Sequence, residues 1–263
     1  MNRILLVGCG EMGGALLSGW LETKTISSEQ IYVISPHPID RQDVEVIAKP
    51  DDLPTFFRPT TIIFAVKPQV LTEILPLYKN FSGEETCFIS IAAGKKVETF
   101  KDSLGNGCRM IRAMPNMPVS IGMGMTVLFK DELVSGEQST MADALFKAVG
   151  AVAWVEEESH FDAITAVSGS GPAYVFYLTE AIEKAAQEAG LPADLAEKLA
   201  RETVIGSAAL MGMGESAESL RKKITSPGGT TAAALDILKG EEGLKALMTR
   251  AVLAAQKRGQ ELA

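Results

Sequence analysis

The sequence predicts an α/β protein in which a doubly wound parallel sheet is followed by an all-α region. In the first half, short and continuous apolar runs alternate with helical patterns, which is typical of parallel strands that are covered on both faces. Strand signals disappear from Phe161 onwards, and only helical patterns follow. The chain has 263 residues, enough for two domains. We therefore expect one domain at residues 1–157 and a helical domain at residues 158–263.

Each element follows from a local pattern. Buried strands are expected at residues 3–7, 30–34, 60–65, 86–91 and 108–113, with edge strands at residues 127–129 and 151–155. A helix is expected at residues 11–22 and another from Pro68. In the second half, helices are expected at residues 171–189, 192 to about 211, 215–224, 231–239 and 241–262. These later helices are rich in small and apolar residues and form a thin core alone, so we expect them to pack against a second copy of the chain.

Composition excludes several function classes. The formal net charge of −8 disfavours binding to nucleic acid, because the chain repels phosphate. Three cysteines without a CxxC pair and only two histidines make a metal site hard to assemble, so no metal is expected. The sequence has no apolar stretch long enough to span a bilayer and no signal-peptide pattern. We expect a cytoplasmic protein that does not bind membranes.

A glycine motif follows the first predicted strand and begins the first helix. Its residues are Gly8, Cys9, Gly10, Glu11, Met12 and Gly13. The first glycine permits a tight turn, the second lets the main chain approach a pyrophosphate, and the third permits close packing of helix on strand. The N-terminus of the helix then presents N–H groups to the anion. This context predicts a Rossmann-type domain that binds a dinucleotide, although the pattern alone is weak.

The residues after the second strand bear on the choice of cofactor. An NAD site usually has an acidic residue about twenty positions beyond the glycine motif. Here Ser35 and His37 stand in that region, and Arg41 follows. A hydroxyl and two basic groups favour the 2′-phosphate of NADP, so we expect NADPH to be preferred and NADH to be possible. A solvated loop is the alternative, because Asp40 and Asp43 lie close by.

Further cofactor contacts are expected where later strands end, because ligands of open α/β sheets bind at the carboxyl ends of the strands. After the strand at residues 60–65, Lys67 can contact a phosphate or simply be solvated. Ala92 belongs to a run of small residues that suits a wall against a flat nicotinamide, with tight packing as an alternative that is compatible with it. Asn116 can bind an amide or a ribose, although a local turn explains it equally well.

Residues 225–231 form a possible site for a small carboxylate. Two glycines expose main-chain N–H groups immediately before a helix, and threonines add hydroxyls. From the residues alone, a capped loop without a ligand is an equal alternative.

Taken in order, six segments resemble the pyrroline-5-carboxylate reductase family. They are GCGEMG at Gly8, FAVKPQ at Phe64, SIAAG at Ser90, RAMPNMP at Arg112, TAVSGSGPAY at Thr165 and TSPGGTT at Thr225. The resemblance implies reduction of 1-pyrroline-5-carboxylate to L-proline by NADPH or NADH, the last step of proline biosynthesis. It also implies a homodimer formed through the C-terminal helices, which in this family often assembles further into a decamer.

The resemblance also implies cofactor contacts at Gly8 to Gly13, Ser35, Ala65, Val66, Lys67, Pro68, Ala92 and Asn116. It further implies roles for residues of the TSPGGTT segment. The substrate carboxylate is expected to contact Ser226, Gly228, Gly229, Thr230 and Thr231. Thr231 is further expected to be catalytic, by donating a hydrogen bond to the ring nitrogen or by delivering its proton through water. The family's asparagine before the FAVKPQ segment has no counterpart, because residues 50–53 read Pro-Asp-Asp-Leu here.

Two other functions compete with this hypothesis. Enzymes of the β-hydroxyacid dehydrogenase group also join a Rossmann domain to a helical one, but they carry a catalytic lysine in a GxxxK arrangement. Here Val175 stands at that spacing from Gly171. A non-enzymatic NADP-binding module is the second alternative, and such a module has no need of the carboxylate site at residues 225–231.

Overall fold

The computed structural model describes residues 2–36 and 39–262. These residues form two compact units. The first runs up to Gly169 and includes the end of the chain from Ala255, and the second comprises Ser170–Ala254. The two units are defined by contacts between residues, which do not show whether a part of the chain folds independently. The division into domains 1–157 and 158–263 therefore stays a prediction.

The first unit contains a sheet of eight strands within the described residues. They are β1 (Ile4–Val7), β2 (Ile31–Ile34), β3 (Glu45–Ile47), β4 (Thr61–Phe64), β5 (Cys87–Ser90), β6 (Arg109–Met114), β7 (Gly124–Lys130) and β8 (Gly150–Trp154). Their order in the sheet is β3-β2-β1-β4-β5-β6-β7-β8. Neighbours are parallel except for β6 and β7, which are antiparallel. Successive strands are added on one side of β1 up to β3 and on its other side from β4 onwards. Open α/β sheets bind ligands at such a switch point, which here lies between β1 and β4.

Apolar clusters cover both faces of this sheet, as the continuous apolar runs predict. In β4, Ile63 packs into the cluster that contains Trp20 and Leu145. Its neighbours Ile62 and Phe64 pack into the opposite cluster, with Phe88 and Phe100. The predicted fold class is confirmed, because a mostly parallel sheet covered on both faces is followed by a helical region.

Five helices belong to the first unit, among the residues that the structure describes. They are α1 (Glu11–Glu22), α2 (Pro68–Ile74), α3 (Val97–Leu104), α4 (Gly136–Lys147) and α5 (Phe161–Ile164). The structure corrects one expectation about the sheet and adds one strand. The segment at residues 127–129 is part of β7, which lies inside the sheet and not at its edge, because β8 pairs with it. The strand β3 was not predicted, since three half-polar residues carry little periodic signal.

The second unit is helical throughout its regular elements. They are α6 (Gly171–Glu188), α7 (Ala193–Gly212), α8 (Ala217–Lys223), α9 (Thr230–Leu238) and α10 (Leu244–Leu262), which continues into the first unit. Large apolar side chains lie exposed on these helices, including Phe176, Tyr177, Leu210 and Ile237. This exposure agrees with the expected thin core. No helix in the described part of the chain is both long and apolar enough to cross a membrane.

Candidate active site

The glycine turn between β1 and α1 has the geometry that its sequence predicts. Gly8 has a φ of +92°, and a Cβ there would lie 2.7 Å from Val66 Cγ1. At Gly13, a Cβ would lie 2.4 Å from the carbonyl oxygen of Gly8. Around Gly10, by contrast, a Cβ would meet nothing within 4 Å. A side chain would therefore clash at the first and third glycines of the turn, whereas the second glycine faces open space.

The N-terminus of α1 faces this opening. Gly10 is the N-cap of the helix, and no side chain among the described residues caps it. First-turn N–H groups have no partner within a helix and attract anions. Cys9 lies half-buried in the same turn, and burial raises the pKa of its thiol. This end of α1 is thus shaped to receive a pyrophosphate, and the contacts of the glycine motif with a cofactor stay a prediction.

The segment after β2 contains a closed ion pair. Arg41 donates from Nε and Nη2 to the two carboxylate oxygens of Asp43, at 2.9 and 2.6 Å, and from Nη1 to Ser18 Oγ at 2.8 Å. This hydrogen bonding raises the pKa of Arg41 and lowers that of Asp43. The N–H of Ser35 donates to the carbonyl oxygen of Ile47 at 3.0 Å. His37, another expected cofactor contact, lies outside the described residues.

Ala65 and Val66 follow β4 and adjoin the glycine turn. The main chain of Ala65 lies next to Gly8, and its Cβ would be 3.1 Å from a Cβ at Gly13. Lys67 is the exposed N-cap of α2, and Pro68 is the first residue of that helix. The structure therefore brings Ala65 and Val66 to the glycine motif.

Small residues follow β5, as predicted, but the structure separates their roles. The methyl group of Ala92 is buried, at 6% exposure, and packs in the core with Phe88 and Phe100. Its N–H donates to Ser90 Oγ at 3.2 Å, so this donor already has a partner within the protein. Ala93 is exposed instead. Sequence reasoning named Ala92 but could not tell which of two adjacent alanines faces outwards.

Asn116 follows β6 and joins three segments of the first unit. Its Nδ2 donates to the carbonyl oxygen of Ser168 at 3.1 Å, and its Oδ1 accepts from the N–H of Met125 at 2.8 Å. Ser168 belongs to a π-helical turn at Thr165–Gly169. Such turns are rare and occur often at functional sites. The side-chain amide therefore has a structural role, which is compatible with a further contact to a cofactor.

An ion pair between a buried arginine and a half-buried glutamate lies beside the segments that follow β5 and β6. Arg112, in β6, is 4% exposed, and its Nη1 donates to Glu158 Oε1 at 2.8 Å. The same oxygen accepts the N–H of Val97, the first residue of α3, at 2.7 Å. The Arg112 guanidinium also lies over the Phe161 ring, 4.2 Å from its centroid. Burial lowers the pKa of Arg112, and Glu158 opposes this shift.

These groups border a cavity of about 380 Å³, whose lining also includes Gly94, Lys96 and Asp162. Sequence reasoning missed this cluster. The apolar character of β6 gave no reason to expect a buried arginine, and its partner lies 46 residues further along the chain.

Residues 225–231 belong to the second unit. Gly228 has a φ of +69°, and the N–H of Gly229 donates to the carbonyl oxygen of Ser226 at 3.1 Å. Gly229 is the N-cap of α9, again without a side-chain cap among the described residues. Ser226, Gly228 and Thr230 are exposed, while Thr231 is half-buried in the first turn of α9. This loop therefore offers main-chain N–H groups to an anion, as the sequence suggests.

The described residues hold no cluster of three or more histidine, cysteine, aspartate or glutamate side chains suited to a metal ion. Taken separately, each unit presents main-chain donors at an uncapped helix N-terminus, that of α1 in the first unit and that of α9 in the second.

Comparisons with known proteins agree with this geometry. Residues 158–262 match the family model described as pyrroline-5-carboxylate reductase dimerisation, and residues 3–94 match the model described as NADP oxidoreductase, coenzyme F420-dependent. Pyrroline-5-carboxylate reductase of Synechocystis sp. is 37% identical over 98% of this chain and 97% of that protein. A structure of the reductase from Coxiella burnetii has a TM-score of 0.91 at 32% identity and covers 100% of this chain and 98% of that one. The NADP-bound pyrroline carboxylate reductase of Plasmodium falciparum has a TM-score of 0.85 at 25% identity, with coverage of 99% and 98%.

Proposed function

The chain belongs to the pyrroline-5-carboxylate reductase family, and we propose that it reduces the C=N bond of 1-pyrroline-5-carboxylate to give L-proline. The resemblance inferred from the six sequence segments is confirmed. The observation that carries the proposal is similarity over the whole chain to enzymes of that name. It is supported by the uncapped N-terminus of α1, which begins beside a glycine turn. A Cβ would clash at Gly8 and Gly13 of this turn, while the space at Gly10 is open.

A cyclic imine explains why the site needs no strong base. When bound, the reduced nicotinamide supplies a hydride, which adds to the imine carbon. The imine nitrogen takes up one proton as the hydride adds, through the hydrogen bond or the water relay proposed below for Thr231, and becomes the secondary amine of proline. The protein's task is then to hold two reactants in line, and positioning of this kind contributes on the order of 7–11 kcal/mol.

The glycine turn is proposed to bind the pyrophosphate, with Gly8 to Gly13 contributing main-chain contacts. Ala65, Val66, Lys67 and Pro68 are proposed to contact the cofactor after β4. Ala92 and Asn116 are proposed for the nicotinamide end. Because the methyl group of Ala92 is buried and its N–H is bonded to Ser90 Oγ, its carbonyl group is the part left for such a contact.

The loop before α9 is proposed to bind the substrate carboxylate through Ser226, Gly228, Gly229, Thr230 and Thr231. Its support is the uncapped N-terminus of α9 and the exposure of Ser226, Gly228 and Thr230. Carboxylates are stabilised at such positions by N–H groups and by the helix dipole. Thr231 is proposed as the residue that donates a hydrogen bond to the ring nitrogen or relays a proton through water.

We propose NADPH as the preferred cofactor, with NADH as a weaker alternative. A related structure is described with NADP bound, and the segment after β2 carries Ser35 where an NAD site usually has an acidic residue. Arg41 lends this preference little support, because Asp43 already neutralises it.

We propose a homodimer formed through the C-terminal helices, with further assembly to a decamer. The match of residues 158–262 to a dimerisation model supports the dimer. Exposed apolar side chains on α6 to α10, such as Tyr177 at 72% and Ile237 at 80%, would be covered by a second copy. The cytoplasmic location expected from the sequence stays a prediction.

The test of the proposed function is oxidation of NADPH by the purified chain, followed by absorbance with 1-pyrroline-5-carboxylate and confirmed by detection of proline. NADH is measured in parallel, and a mixture without the imine is the control. Imine-dependent oxidation with a higher kcat/KM for NADPH is expected. Absence of imine-dependent oxidation with either cofactor contradicts the proposal.

A further inference from the structure

One carboxylate oxygen connects three segments of the first unit. Oε1 of Glu158 accepts the N–H of Val97 at 2.7 Å and Nη1 of Arg112 at 2.8 Å. Val97 begins α3, and Arg112 lies in β6. Glu158 itself belongs to the turn that precedes α5. A single side chain therefore ties the start of one helix to a central strand.

Both bonded residues lie just beside segments proposed to face the nicotinamide. Val97 is five residues beyond Ala92, and residues 91–96 are the whole connection between β5 and α3. Arg112 is four residues before Asn116, whose amide in turn holds Ser168 and Met125. In the sheet, β5 and β6 are paired, with Ser90 opposite Arg112. The Glu158 carboxylate therefore bonds residues close to the carboxyl ends of two adjacent strands, β5 and β6.

Electrostatics stabilise this junction. Arg112 is buried, and its guanidinium contacts the Phe161 ring and pairs with the half-buried carboxylate of Glu158. Removing the Glu158 charge would be unfavourable, because the Arg112 charge stays desolvated without its partner. A carboxylate at the first turn of α3 is also favoured by the helix dipole. Asp162 lines the same cavity and acts on Arg112 through its charge.

We propose that Glu158 is a positioning residue for hydride transfer, because its carboxylate sets the relative placement of the two segments that carry the nicotinamide contacts. It touches neither reactant and acts through Val97 and Arg112. The inference rests on the proposed function and deepens it. It predicts that Glu158 matters for the nicotinamide half of the cofactor and not for the adenosine half, which the glycine turn holds.

The test is Glu158→Gln in the full chain. This variant keeps the shape of the side chain but removes its charge and replaces one oxygen with a donor. The matched control is Glu157→Gln, an adjacent exposed carboxylate whose ion-pair contact with His160 is long, at 3.8 Å. Affinity is measured for NADPH and for 2′-phospho-ADP-ribose, which lacks the nicotinamide. Turnover per cofactor-binding site and the isotope effect with NADPH deuterated at the transferred position are measured as well.

In Glu158→Gln, NADPH is expected to bind about tenfold more weakly, equivalent to about 1.4 kcal/mol, while the fragment binds as in the wild type. Turnover per site is expected to fall on the order of tenfold or more, since small misplacements at a reacting centre are costly. The isotope effect is expected to rise, because hydride transfer becomes slower relative to the other steps. Glu157→Gln is expected to match the wild type in all three measurements.

A purely stabilising role gives a different result. The melting temperature would then fall, while the ratio of NADPH affinity to fragment affinity, the turnover per site and the isotope effect would stay at wild-type values. That outcome overturns the inference. If Glu158→Gln does not fold, the pair is replaced by apolar groups in Arg112→Met/Glu158→Leu, a change that buried ion pairs often tolerate, and the same three measurements decide. Lack of turnover in the wild type would contradict the proposed function, whereas the comparison of NADPH with the fragment needs no turnover.

Discussion

Gly13 packs against Gly8 so closely that a Cβ at Gly13 would lie 2.4 Å from the Gly8 carbonyl oxygen. This contact brings the first turn of α1 against the end of β1. It also places the adjacent Gly10 above open space, because the helix begins immediately beyond the turn. We therefore expect a substitution at Gly13 to affect stability and a substitution at Gly10 to affect cofactor binding.

Gly13→Ala is expected to destabilise the fold. The added methyl meets main-chain atoms that cannot rotate away, and overpacking of this kind costs about 1–3 kcal/mol. Chemical denaturation measures the change in the free energy of unfolding. Gly14→Ala is the matched control in the same helix, because its Cβ would lie 3.9 Å from Cys9 Sγ, an ordinary contact. That variant is expected to be neutral or slightly stabilising, and equal effects at the two positions would refute the packing argument.

Gly10→Ala is expected to weaken cofactor binding at a cost of no more than about 1 kcal/mol in stability, since alanine is a poorer N-cap than glycine. Its φ of −74° suits alanine, and the methyl meets nothing in the free protein. A bound pyrophosphate would approach that position, so we expect the dissociation constant of NADPH to rise about tenfold, or 1.4 kcal/mol. Calorimetric titration measures it, with Gly14→Ala again as the control. Wild-type affinity in a folded Gly10→Ala variant would place the pyrophosphate elsewhere.

Asn116→Asp is expected to destabilise the first unit. The substitution keeps an acceptor for the N–H of Met125, but it brings a carboxylate oxygen against the carbonyl oxygen of Ser168. Leaving such groups unsatisfied costs about 1–3 kcal/mol. Thermal unfolding monitors the loss. Retention of the wild-type melting temperature would mean that the bond to Ser168 contributes nothing.

Alkylation is expected to distinguish the three cysteines. Burial raises the pKa of all three thiols, that of Cys108 to about 12, but Cys9 is the one with partial exposure. Because the thiolate is the nucleophile, Cys9 should be labelled first, at a rate that increases as the pH rises towards its pKa. NADPH should slow this labelling, since Cys9 lies in the glycine turn. Peptide mass spectrometry follows the sites, and labelling of Cys87 or Cys108 before Cys9 would contradict the burial that explains the order.

Thr231→Ala is expected to lower kcat, because the proposed donor to the ring nitrogen is removed. A positioned proton donor typically contributes on the order of 10²–10⁴-fold in rate. Thr231→Ser retains the hydroxyl and should retain most of the activity. Steady-state rates at saturating imine measure both variants. Equal turnover by the alanine variant and the wild type would exclude Thr231 from the reaction.

Much of the fold could be predicted because its determinants are local. The apolar runs of β1, β4 and β5 and the helical pattern of α1 each lie within a few residues, and the structure places them within one residue of the predicted ends. The strand β3 escaped prediction because only three residues form it, and they are partly exposed. The position of β7 inside the sheet also escaped, because pairing with β8 depends on residues that come later in the chain.

The candidate site divides in the same way. Gly8, Gly10 and Gly13 could be assigned distinct roles because each role depends on the absence of a side chain at one place in a turn. Nothing near Arg112 in the sequence predicts that Glu158 will meet it, and nothing near Asn116 predicts Ser168.

The sequence by itself determined most of the strands, the first helix and the long helices of the second half, the glycine turn and the family to which the chain belongs. Backbone preferences and periodic burial act over short stretches of chain, so local patterns carry this information. Only the tertiary structure decided that Ala93 and not Ala92 is exposed, that Asp43 neutralises Arg41, and that Glu158 joins Val97 to Arg112. These relationships depend on where packed segments approach one another, and a buried charge takes whichever partner that packing brings within hydrogen-bonding distance.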